Sequence, residues 1–330
     1  MTRRQMNPSQ QEQTFGARQG ADSGTGNVKP RAGSAEGGRG WASLREQLAA
    51  PVDAASLVFF RIAFGAVMLW TAVAHLSNDW VESKFLAPAF LFKYYAFEWV
   101  RPWPGVGLYV HFVVMGVLAC CVLAGLWYRA SVALLFVAWT YVFLLDQSLF
   151  LNHHYLMCLL SFLMLFVPAH RCLGVDARRR PWLRADTVPA WSLWLVRAQL
   201  AIVYVYGGLT KIDADWLRGA PMRQVLEGHK DLPLLGGLFT QEWFVYGTSY
   251  GALLLDLFIV PLLLWRPTRA AAFVAALVFH LSNAYLFPIG VFPWLMIAAT
   301  TLFFPPDWPR RTLAAVPQLG RFVRPGRTAR

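Results

Sequence analysis

Residues 190–216 read AWSLWLVRAQLAIVYVYGGLTKIDADW. About twenty residues pass with Arg197 as their one charge, and then two glycines, Lys211, Asp213 and Asp215 arrive within nine positions. A helix needs about 20 mostly apolar residues to cross the hydrocarbon core of a bilayer. The stretch therefore reads as a membrane-crossing helix that delivers a dense polar group to its end.

The rest of the chain repeats the first half of that pattern. Apolar segments fall at residues 54–76, 107–127, 131–150, 155–169, 190–210, 246–265, 270–285 and 289–304, which predicts an all-α, polytopic membrane protein of about eight transmembrane helices. Composition agrees, with 57% apolar residues, 15 Trp and 24 Phe against 15% charged residues, far from the balance of a soluble domain. The net charge of +12 would suit a nucleic-acid partner, but the basic residues are scattered through short loops and form no stripe, so no nucleic-acid partner is expected. Cys120, Cys121, Cys158 and Cys172 lie in or beside apolar runs without metal-ligand or disulfide spacing, and read as small core residues. Residues 1–45 are rich in Gly, Ser, Gln and Arg and contain no signal-peptide pattern; they are expected to be a disordered tail. Residues 46–311 then form the transmembrane domain and 312–330 a basic tail.

Basic residues stay on the cytoplasmic side of short loops. Counting Lys and Arg in alternate loops places 21 with the two termini and 7 on the opposite side. Both termini are therefore expected to be cytoplasmic, and the loops after the first, third, fifth and seventh helices extracytoplasmic. The long loop at 77–106 carries Trp80, Phe85, Phe90, Phe92, Tyr94, Tyr95, Trp99 and Trp103, as an interfacial, partly re-entrant cover would, or an aromatic belt.

Three extracytoplasmic junctions hold most of the unusual polar chemistry: LNHHY at 151–155, GGLTKIDADW at 207–216 and HLSNAYLFPIGVF at 280–292. If the fifth helix continues to Lys211, then Arg197, Tyr204 and Lys211 lie seven residues apart on one face, and Gly208 lets a neighbour approach it. A buried lysine that loses its charge is a usable general base; alternatively it snorkels to the interface, paired with Asp213 or Asp215. His153 and His154 are adjacent, so on a helix they point apart and cannot chelate one ion together. Beside Asn152 and Tyr155 at a helix mouth they mark a site; a metal shared with His280 has no HxxxH spacing behind it, and none is expected. Asp146 could orient a histidine, bind Lys211 or cap a helix. Arg61, Arg197 and Asp256 fall at similar depths from the cytoplasmic end, roughly 9–14 Å, which predicts a structural ion-pair cluster.

The segments LLDQSLFLNHHYL, GGLTKIDADWLRGAPM and FHLSNAYLFPIGVFPWLMIAATTLFF followed by DWPRR, with VFFRIAFGAVML and KYYAFEWVRPW before them, together resemble the vitamin K-dependent gamma-carboxylases, the family of the horizontally transferred transmembrane domain. The likeness covers residues 56–311. It implies a lyase-type carboxylation of peptidyl glutamate with CO2, driven by oxidation of a reduced, menaquinol-type vitamin K by O2, in the bilayer. On that likeness Lys211 is the base that deprotonates the hydroquinone, and the oxygenated quinone is the stronger base that takes the glutamate γ proton. His153 acts at the carbanion step, and His280 and Asn283, with Asn152 and Tyr204 nearby, contact cofactor or oxyanion. Two departures stand out. His154 occupies the place of a small hydroxyl residue, and the chain is expected to lack the large lumenal domain with which animal carboxylases dock their substrates. Two other functions fit the same residues: a non-enzymatic membrane partner in peptide maturation or export, and a quinone oxidoreductase without carboxylation.

Overall fold

The computed structural model describes residues 43–233 and 235–315. Most of the tail expected to be disordered at 1–45, and 316–330 of the basic tail, lie outside them. Residues 43–49 are helical.

The chain is an all-α multi-pass membrane protein. Each of the eight apolar segments corresponds to a helix: α1 Ala55–Ser77, α2 Gly107–Ala124, α3 Tyr128–Leu144, α4 Asn152–Met164, α5 Ala190–Leu209, α6 Glu242–Leu264, α7 Arg269–Leu286 and α8 Phe292–Thr300. Five of them, α1, α2, α5, α6 and α7, are long and apolar enough to cross a membrane. The others are shorter than the sequence pattern implied, because the apolar runs at 131–150 and 155–169 each end in irregular backbone. Consecutive helices pack on one another from α1 to α4 and from α5 to α8, α4 touches α5, and α8 returns to α1. Val110, Val113, Val117, Leu134, Val137 and Phe258 remain exposed on the outside, as lipid-facing residues should be, while Phe60, Phe64, Phe112, Tyr128 and Trp139 fill the interior.

Local devices explain several boundaries. Helix α2 stops at Gly125, whose φ of +66° is the left-handed C-cap conformation that glycine adopts without strain. A side chain there would also collide with the guanidinium of Arg61, 2.5 Å from the position of its Cβ. The first amides of α3 donate to a carboxylate from a distant loop, Asp176, at 2.8 and 2.9 Å. A two-stranded antiparallel ladder, β1 Pro51–Asp53 with β2 Thr187–Pro189, ties the entry of α1 to the entry of α5. No alternating pattern announces strands of three residues with proline at their ends. Arg310 of the DWPRR segment closes the same end, reaching Asp53 at 3.0 Å and Asp186 at 3.1 Å.

The loop at 77–106 lies against the end of α3. Gln147 N–H donates to Phe92 O, Lys93 to Leu145 O and Tyr141 to Arg101 O. Phe90, Phe92, Tyr95, Trp99 and Trp103 stay exposed, in keeping with an interfacial position.

Candidate functional site

Helix α5 ends at Leu209, and Lys211 sits in the turn that follows. Its Nζ folds back to donate to Gly207 O at 2.9 Å and meets Asp256 Oδ2 at 2.7 Å. Only 18% of the lysine side chain and 8% of the aspartate side chain are exposed, so the pair is largely desolvated. Gly208 permits the approach of α6: a Cβ at that position would stand 2.7 Å from the Leu257 side chain and 3.0 Å from its backbone nitrogen. The residues after Lys211 are pinned along the first half of α6. Trp216 donates to Ser249 O at 2.9 Å, Ser249 donates to Trp216 O at 2.7 Å, and Tyr250 donates to Leu217 O at 3.0 Å. The Trp216 ring centroid lies 5.2 Å from Lys211 Nζ, close enough for a cation–π contribution.

This arrangement corrects the expected pairings. Asp256 belongs with Lys211, not with Arg61 and Arg197, and the three form no cluster. Arg61 donates instead to Ala169 O and Leu173 O, both at 3.0 Å. Arg197 donates to Leu302 O at 2.8 Å and Phe304 O at 3.2 Å. Depth counting failed because α5 stops partway along α6: Asp256 lies fourteen residues into α6, about 21 Å at 1.5 Å per residue, and Lys211 is level with it. Asp213 and Asp215 do not pair with Lys211 either. Asp213 caps the short helix Ala214–Leu217 by accepting from Asp215 N and Trp216 N, and Asp215 makes an exposed ion pair with Arg218. Asp146 neither orients a histidine nor reaches the lysine; its carboxylate accepts from Ser148 N at 2.8 Å, the capping role left open by the sequence.

A cavity of about 760 Å³ gathers the three polar junctions. Asn152 and His153 at the start of α4, Tyr204, Gly207 and Lys211 from α5 and its turn, Asp256 of α6, and His280 and Asn283 of α7 all line it. Its remaining wall is mostly apolar, including Val203, Phe279, Ile289 and Met296, with Tyr155, Gln199, Tyr206 and Thr210 adding polar atoms. Phe292, which the sequence did not single out, stands between the histidines, with ring centroids 5.8 Å from His153 and 6.3 Å from His280. His154 does not line this cavity; its ring meets that of His153 edge to face at 4.6 Å and packs 5.2 Å from Trp139 and 6.1 Å from His75 between centroids. Arg197, Arg61, Asp146, Asp213 and Asp215 do not line this cavity.

The buried hydrogen bonds fix one tautomer. Thr300 hydroxyl donates to Met296 O at 2.7 Å, so at its 2.7 Å contact with Tyr204 the threonine accepts. The Tyr204 proton is thereby committed, and its oxygen accepts from His280 Nε2–H at 2.8 Å. His280 Nδ1 is then the unprotonated nitrogen, buried and without a protein partner. Thr300, a second residue that the sequence did not single out, thus sets the histidine's chemistry from α8. Among the described residues no group of three or more His, Cys, Asp or Glu side chains is placed to hold a metal ion.

No solved structure matches the chain. A family model described as the HTTM domain matches residues 49–308, a span that contains every residue lining the cavity.

Proposed function

Because the chain belongs to the HTTM-domain family, we propose that it is an integral-membrane enzyme of the vitamin K-dependent gamma-carboxylase type, coupling oxidation of a reduced quinone by O2 to carboxylation of peptidyl glutamate. The observation that carries this reading is the Lys211–Asp256 pair, held inside a largely apolar-surfaced cavity that also receives His153 and His280. Intramembrane ionisable residues are costly and ordinarily serve a function.

The cavity suits a lipid-soluble quinol. Its volume lies within the usual range of about 300–1,000 Å³ for small-molecule sites, its walls offer apolar surface to an aromatic ring, and its polar groups converge from three helix junctions. On oxidation by O2 a bound reduced quinone would supply the base strong enough for a glutamate γ carbon, which no side chain here provides. The chain's own residues manage the stronger acid, the phenol. Lys211 hydrogen-bonds Asp256 Oδ2; passing that proton to the carboxylate leaves a neutral amine, and the amine then takes up the proton of a phenol. The pair ends as an ammonium beside a carboxylic acid, one proton richer, so Asp256 is the proton store that makes Lys211 a base. His280, with Nε2–H turned to Tyr204, presents Nδ1 as an acceptor for a hydroxyl, while Asn152 and Asn283 supply amide donors for an oxyanion. His153 is the candidate acid or base at the carbon undergoing carboxylation.

The test is incubation of purified protein with vitamin K hydroquinone, bicarbonate and a glutamyl peptide, followed by mass spectrometry. Carboxylated peptide and quinone epoxide are expected together, and both should fall with Lys211→Ala. Epoxide without carboxylate would assign the chain to quinone oxidation. If wild type forms neither product, or Lys211→Ala forms as much of both, the enzymatic reading is wrong and the partner role in peptide maturation or export takes its place.

A further inference from the structure

A second cavity, of about 640 Å³, opens where α6 ends and α7 begins. Four arginines line it, Arg197, Arg266, Arg269 and Arg311, and none of its lining residues is acidic. Like charges do not gather at a membrane protein's surface without compensation, and here the compensation from protein is slight. Among the described residues Arg197, Arg266 and Arg269 have no salt bridge, and Arg311 has one, to Asp307 at 2.6 Å.

Arg197 and Arg269 are held in place by backbone rather than by acids. Arg197 donates to Leu302 O and Phe304 O; Arg269 donates to Leu263 O at 2.8 Å and Leu264 O at 3.0 Å. Each guanidinium has five N–H donors, so these anchors fix the planes and leave donors over. The anchoring carbonyls come from the ends of α6 and of the α8 segment, so Arg197 and Arg269 are fastened to two helix ends that frame one opening. Apolar surface adjoins the cations: Leu264, Phe303 and Phe304 line the same cavity, and the Arg197 guanidinium lies 5.0 Å from the Trp194 ring centroid. Trp191, Trp194 and Trp265 are all partly or fully exposed at this end, and exposed tryptophans gather at headgroup depth.

We infer that this cavity binds the phosphate of an anionic membrane lipid, with the arginines on the phosphate and the apolar wall against the start of an acyl chain. Arginine forks match phosphate oxygens two at a time, and basic pockets between transmembrane helices hold such headgroups. The headgroup depth favours a lipid phosphate over a free one. Arg197 is the seated base of the site, and Arg266 and Arg269 are its approachable rim.

Lipid retention tests this directly. Purified protein in detergent is offered phosphatidylglycerol and phosphatidylcholine of matched chains, and bound lipid is counted by native mass spectrometry. Each arginine near an anionic headgroup contributes about five-fold, so wild type should prefer phosphatidylglycerol at least about ten-fold, and Arg266→Gln with Arg269→Gln should bring the preference close to parity. Arg178→Gln with Arg179→Gln, on an exposed helix outside the cavity, should keep it. Arg266→Lys with Arg269→Lys, which preserves charge and packing, should keep part of the preference, and it remains informative if the glutamine pair fails to fold. Equal retention of both lipids by wild type, or equal loss in the control variant, overturns the site. Displacement of phosphatidylglycerol by millimolar inorganic phosphate overturns the lipid assignment in favour of a soluble anion.

Discussion

Replacing Asp256 by Asn keeps the shape of the side chain but leaves Lys211 in the cavity without its counter-charge. At an effective dielectric constant of about 20, two unit charges 2.7 Å apart attract by about 6 kcal/mol. Desolvation of both groups offsets much of that, and breaking a buried pair by removing one partner costs about 3–5 kcal/mol. Lys211 is 18% exposed and keeps its bond to Gly207 O, which places Asp256→Asn near the low end, about 3 kcal/mol. Lys211→Met should cost a similar amount by stranding the carboxylate. The double variant carries no buried charge and should be more stable than either single one, so a double-mutant cycle read by unfolding in mixed micelles should give a coupling of about 2–3 kcal/mol. Activity should behave differently, lost in all three variants, since none can pass a proton between amine and carboxylate. Additive single-variant costs, or full activity in Asp256→Asn, would refute the pairing as the source of the base.

Four further outcomes follow from the same structure. Tyr204→Phe removes the hydroxyl between His280 and Thr300 and should cost about 1–3 kcal/mol as two buried groups lose a partner, with turnover falling more than in Thr300→Val; equal turnover in wild type and Tyr204→Phe would remove His280's tautomer from the mechanism. Gly208→Ala puts a methyl into Leu257 and should cost about 1–3 kcal/mol, lowering activity by moving Lys211 away from Asp256; unchanged stability would mean α5 and α6 are less tightly apposed than the Cβ distance of 2.7 Å requires. His170, in the loop after α4 and stacked on Tyr128, is drawn down to about 4 by burial, with Asp176 pulling the other way and Arg129, Arg171 and Arg61 pushing further down. Its folded value lies below the unfolded value of about 6.5, so the stability it contributes is present above about pH 6.5 and is lost as pH falls towards 4; His170→Phe should flatten the difference in unfolding between pH 7.5 and pH 5. Finally, a cysteine at exposed Ala220 should react with an impermeant thiol reagent from outside intact cells, and labelling from the cytoplasm alone would reverse the expected sidedness.

The helical architecture was legible because eight runs of apolar residues leave a bilayer as the one solvent that suits them. The three polar junctions that line the cavity were each visible as polar letters at the end of an apolar run, though not that His153 alone of the adjacent histidines would line it. The partners were not. Arg61 and Arg197 donate to carbonyl oxygens of residues 169, 173, 302 and 304, and a backbone carbonyl has no letter of its own, so counting charges leads only to Asp256. Asp256 itself stood out as a lone carboxylate in an apolar helix, yet its depth was matched to the wrong arginines because α5 was taken to run the full thickness beside α6. Phe292 and Thr300 were hidden for another reason: in an apolar helix an aromatic and a threonine look like filler until a tertiary neighbour gives them work.

Arg310 joins Asp53 across 257 positions of sequence, and Ser56 N–H donates to Pro306 O beside it, so the first spanning helix is fastened by nearly the last residues of the domain to be made. At about 5–20 residues per second of synthesis, α1 waits in the bilayer for roughly 13–50 s before its end is closed. A chain halted just short of Arg310 therefore has α1 to α8 made and this seam still open.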